Sequence, residues 1–154
     1  MASMADDRQT ARVLWTSPEE IRKRTFMDWL AAHTSFCAPL HHWEGVIALT
    51  PDMLELWGRH KRSGGEQHIP ILPEELSDIH LGFDDVFTRW SDRSLGLTFK
   101  PLRLTYGSKG APYTLYVIVD FKRWRRGSDN KLWHDKLQEW RQRCAAKEPG
   151  GWQT

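Results

Sequence analysis

Cysteine is scarce in this chain. It has two, Cys37 and Cys144, far apart and in no CxxC pair. They could pair with each other, but the opening Met-Ala-Ser-Met-Ala-Asp-Asp has neither a basic start nor an apolar stretch. Secretion is therefore not expected, and reduced thiols in a soluble, cytoplasmic protein are. No apolar run approaches the ~18 residues that a membrane-spanning helix needs. Net charge is small as well. A formal +2 is too weak to argue by itself for nucleic acid or an anionic membrane. Catalytic signatures are missing too: there is no GxxxxGK[ST], no GxGxxG after a strand, no HExxH, no GxSxG and no EF-hand loop. The expectation is a protein without catalytic residues, cofactor or metal.

What is present fits one globular domain over residues 1–154. The apolar fraction of 40% against 27% charged residues is that of a folded chain. Nine tryptophans are available for core and edge packing. Residues 1–15 read as a polar arm with Val13-Leu14-Trp15 as a first anchor. Ser17-Pro18-Glu19-Glu20 is a capping box that opens a helix over 17–34, with Phe26, Trp29 and Leu30 on its buried stripe. From Trp43 the pattern turns to strands. Trp43–Thr50 and Met53–Trp57 flank Pro51-Asp52 as a hairpin. His68-Ile69-Pro70-Ile71 is a short strand that its proline places at an edge or bulge. Ile79, Leu81 and Phe83 alternate with polar residues. Strands or one bent strand follow over Leu95–Phe99 and Leu102–Tyr106, and Tyr113–Phe121, apolar on both faces, is predicted to be central. Gly127-Ser128-Asp129 then supplies a turn and cap for a last helix with Trp133, Leu137, Trp140 and Cys144 on one stripe. Residues 148–154 form a tail.

Gly45–Thr50 with Leu54 and Leu56 is similar to the opening strand pair of the pleckstrin-homology-like superfold, in its GRAM or bacterial PH form. Ile69-Pro70-Ile71 followed by Ile79 is similar to its third strand leading into the fourth. Trp133 and Leu137 resemble the residues with which its closing helix plugs the barrel. The resemblance covers residues 43–144. It implies an α+β fold: a PH-like, half-open antiparallel β-barrel capped by a C-terminal helix, with the N-terminal helix packed on it. It also implies a binding or scaffold module. The phosphoinositide-binding pattern places Lys and Arg in the first hairpin loop, where this chain has Thr50-Pro51-Asp52.

Two basic clusters are the candidate ligand-binding residues. One is Arg59, Lys61 and Arg62, in a loop whose Gly64-Gly65 amides could approach an anion. The other is Lys122, Arg123, Arg125 and Arg126 around Trp124, where guanidinium groups interleave with a ring that can stack. The expected partner is a protein segment or an anionic lipid headgroup, with nucleic acid a weaker reading. An alternative from another class is a small metal-dependent hydrolase that uses the acidic loop (Asp78, Asp84, Asp85, Asp92) and the His41-His42 pair. Adjacent residues of a strand point to opposite faces, which works against a shared ion there.

Overall fold

A computed structural model of the chain describes residues 8–23, 41–88, 100–108, 110–122 and 127–147. Among them are seven strands: β1 (Gln9–Thr16), β2 (Trp43–Leu49), β3 (Leu54–His60), β4 (Glu66–Ile71), β5 (Leu76–Leu81), β6 (Leu102–Tyr106) and β7 (Tyr113–Val119). All pairings are antiparallel, and the spatial order is β4-β3-β2-β1-β7-β6-β5. Two meanders, β2–β4 and β5–β7, are thus joined edge to edge by β1. The sheet curls into a half-barrel. Helix α1 (Pro18–Arg22) lies near its start and helix α2 (Asn130–Lys147) caps it, which is the expected α+β class.

Alternation decides what each strand buries. Val13 and Trp15, Ile47 and Leu49, Leu54 and Leu56, Ile69 and Ile71, Leu102 and Leu104, and Leu115, Val117 and Val119 point inward. There they meet Trp133, Leu137 and Trp140 of α2 in one core. The helical stripe therefore docks as its spacing predicts, with Trp140 Nε1 donating to the Pro51 carbonyl (3.1 Å) and Cys144 half-buried beside it. Cys144 is a free thiol. Burial on both faces puts β7 in the interior of the sheet, while β4, with Pro70, lies at its edge. On the outer face Ile21, Phe87, Tyr116 and Ile118 form a smaller cluster with Leu14, Phe83, Val86 and Phe121. That cluster packs α1 onto the sheet.

Gly45 and Gly58 are cross-strand partners on β2 and β3. A Cβ at Gly45 would lie 1.8 Å from the Trp57 carbonyl oxygen, and one at Gly58 would lie 2.3 Å from the Trp15 ring. Only glycine lets these backbones and that indole approach so closely.

The reading of residues 1–15 as an arm is corrected: Gln9–Thr16 is an interior strand. Its first half is polar because Gln9, Thr10 and Arg12 are exposed, so side chains carry little sign of a strand held by backbone ladders on both sides. The residues read as an opening strand pair are accordingly the second and third strands. The capping box is present, with Glu20 N–H donating to Ser17 Oγ (3.2 Å) and Ser17 N–H to Glu20 Oε1 (3.3 Å). Phe26, Trp29, Leu30, Cys37 and Leu95–Phe99 lie outside the described residues, as does the tail.

Candidate functional site

A groove of about 1410 Å³ crosses the outer face of the sheet from β4 to β7. Its floor follows the strand register. One outward rung runs Glu66, Arg59, Glu44, Leu14, Ile118, and the next runs His68, Trp57, Val46, Arg12, all of them lining the groove except Val46, which lies beside it. Between them Gln67, Gly58, Gly45 and Val13 direct their side positions inward and offer backbone to the floor. Phe121 and Lys122 close the β7 end. Arg59 and Lys122, one from each basic cluster, therefore line a single groove although 63 positions separate them in sequence.

Two features of this face were not singled out from sequence. The Trp57 ring is 44% exposed and stacks on His68, with centroids 3.5 Å apart, and His68 Nε2 lies 3.1 Å from Glu55 Oε1. Val46, 41% exposed, is Trp57's rung neighbour, so an apolar step lies open in the middle of a charged strip. Alternation of Trp57 with Leu56 held a signal for its outward direction. Its pairing with His68 depends on the β3–β4 register.

Each described cation of the groove has a carboxylate near it: Arg59–Glu66 at 3.9 Å, Lys122–Asp129 at 3.3 Å and Arg12–Asp120 at 3.5 Å. Exposed pairs of this kind contribute about 0–1 kcal/mol, so an incoming charged group can displace them at little cost. Lys61 and Arg62 stand at the exposed tip of the β3–β4 hairpin. Arg123, Arg125 and Arg126, with Trp124, lie outside the described residues.

The tip does not offer its amides to an anion, which corrects the expectation for Gly64-Gly65. The Arg62 and Ser63 N–H groups both donate to His60 Nδ1 (3.2 Å each), Gly64 N–H to the His60 carbonyl (3.0 Å) and Gly65 N–H to Ser63 Oγ (3.3 Å). A hairpin that satisfies its own donors has none left to form an anion nest.

Beneath the tip, the Glu20 carboxylate is a hub. Its Oε1 accepts from Ser17 and from Trp43 Nε1 (3.2 Å), while its Oε2 lies 3.5 Å from His42 Nδ1 and 3.7 Å from His60 Nε2. Thr16 Oγ1 sits 2.9 Å from His42 Nδ1. A hydroxyl, imidazole and carboxylate thus meet, but the hydroxyl and the carboxylate approach the same ring nitrogen. A nucleophilic relay needs one partner on each. His41, which like His42 precedes β2, is buried with its ring 5.6 Å from Phe87.

The acidic loop is also tied internally. Asp84 Oδ2 accepts from the Tyr116 hydroxyl (2.6 Å) and Arg103 (2.9 Å), Asp84 Oδ1 accepts from the Val86 and Phe87 N–H groups, and Arg103 reaches on to Asp78 (2.8 Å). Burial opposes ionisation of Asp84. The Tyr116, Phe87, Arg103 and Val86 donors outweigh it and hold the carboxyl below its usual range. Burial, then the Asp84 carboxylate, pushes the Tyr116 hydroxyl well above its ordinary value, so it stays a donor. Asp92 lies outside the described residues. Among the described residues no group of three His, Cys, Asp or Glu is disposed to hold a metal ion, and no helix is long and apolar enough to cross a membrane.

No protein-family model and no curated protein matches this chain.

Proposed function

We propose that the chain is a non-catalytic binding module with a PH-like fold, of the GRAM or bacterial PH kind, and that it recognises a protein segment across the outer groove. The observation that carries this reading is the meeting of Arg59 and Lys122 in one groove beside the exposed Trp57–Val46 step. Mixed charge around an apolar step suits a polypeptide, which brings side chains of each kind. An acidic headgroup would call for convergent cations and free amides, and Arg12, Arg59 and Lys122 of the groove stand beside carboxylates while the hairpin amides are used internally. Tryptophan and arginine are also the residues on which protein contacts concentrate their energy.

A random-peptide display library panned on the immobilised protein tests this reading. Enriched peptides should lose tenfold or more in affinity on Trp57→Ala and on the double variant Arg59→Glu, Lys122→Glu. Equal binding to those variants would overturn the assignment. So would a failure to enrich peptides combined with salt-sensitive binding to phosphatidylserine vesicles, which would favour a headgroup, or to single-stranded oligonucleotides.

A further inference from the structure

His60 occupies the last position of β3, directly before the hairpin tip that carries Lys61 and Arg62. Its Nδ1 accepts from two backbone N–H groups, those of Arg62 and Ser63. A nitrogen that accepts carries no proton, so the neutral ring is the tautomer with hydrogen on Nε2. That hydrogen faces Glu20 Oε2 on α1, 3.7 Å away. The ring's two nitrogens therefore do different work: one staples the tip, and the other points into the carboxylate hub.

We infer that His60 is a pH-sensitive staple, and that protonating it releases the Arg62 and Ser63 amides of the β3–β4 hairpin tip. A second proton can enter the ring only at Nδ1. It converts the acceptor of two bonds into a donor that faces two N–H groups, and both bonds are lost. The same proton makes the ring a cation beside Glu20, which draws it toward α1 and away from the tip. The other charged or titratable neighbours among the described residues are His42, just before β2, whose ring lies 6.0 Å away, and Arg59, Lys61 and Arg62 on the hairpin itself. Among the described residues Arg59, Lys61 and Arg62 oppose a further positive charge, and Glu20 favours it. Trp43 contributes a ring in T-shaped contact at 5.0 Å. The two freed amides belong to the tip that displays Lys61 and Arg62, while its backbone bonds, His60 N–H to the Gly65 carbonyl (2.8 Å) and Gly64 N–H to the His60 carbonyl (3.0 Å), stay in place. This inference does not depend on what the groove binds.

Solution NMR of the full chain tests it. Near neutrality the His60 ring nitrogens should report the Nε2–H tautomer. Lowering the pH should move the Arg62 and Ser63 amide resonances in one step, upfield as their hydrogen bonds are lost, with the midpoint of the His60 ring itself. His60→Asn places a non-titrating acceptor, Oδ1, where Nδ1 stands. It should keep the neutral amide positions and abolish the step. An Nδ1–H tautomer in the wild-type protein would overturn the inference. So would amides that do not respond as the ring titrates, or a step that persists in His60→Asn.

Discussion

Asp84 shows how one side chain can decide the fate of a loop. Its two oxygens take four donors, from Tyr116, Arg103, Val86 and Phe87, and this fastens the segment after β5 onto the outer face of β7. Because its carboxyl is held below the usual range in the folded chain, the linkage has a definite sign. Its stabilisation is fully present above the ordinary aspartate value of about 4, and it is lost as pH falls through the lower folded value. Asp84→Asn should therefore cost about 1–3 kcal/mol at neutral pH, the range for bonds to a charged acceptor. The gap to wild type should narrow as both proteins are taken below about pH 4. Urea unfolding at pH 7 and at pH 3 checks this. A gap that is the same at both would show that the ionised form contributes nothing, and that only the shape of the side chain matters.

At the scale of elements, the helix that caps the half-barrel is the most demanding test of packing. Trp140 is 2% exposed and ties α2 to the β2–β3 turn through the Pro51 carbonyl. Trp140→Ala should lower stability by ~3–5 kcal/mol, visible as a shifted midpoint in chemical denaturation. An unshifted midpoint would mean that the helix is dispensable. This element was legible in the sequence because Trp133, Leu137 and Trp140 keep helical spacing, as was α1 from Ser17 and Glu20, and the edge strand from Pro70. Asn130 was not. It is buried where α2 begins, accepts from Val119 N–H (2.7 Å) and donates to the Lys100 and Val117 carbonyls, a role set wholly by tertiary placement. The candidate groove was legible in part for the same reason. Arg59 and Lys122 stand out as charge clusters, but Arg12, Trp57 and His68 join them only through registers between strands distant in sequence.

The whole molecule depends on the strand that looked least like one. β1 is the sole strand that links the two meanders among the described residues, with β2 on one side and β7 on the other. It sends Val13 and Trp15 into the inner core and Leu14 to the outer cluster, so it joins both cores as well as both halves of the sheet. Losing Trp15 alone would cost ~3–5 kcal/mol, out of the 5–15 kcal/mol typical of an entire domain. Removing the strand also leaves two interior edges with unpaired backbone groups. Deletion of residues 1–16 should therefore abolish the cooperative thermal transition followed by circular dichroism. A dispensable polar arm would leave that transition in place. A synthetic peptide covering residues 8–16, added to the truncated chain, should restore it, because the missing interactions are a backbone ladder and three side chains that a separate strand can supply. A truncated chain that melts cooperatively near the full-length midpoint would show that the two meanders hold together without β1, and the half-barrel would then have to be closed by the cap of α2 alone.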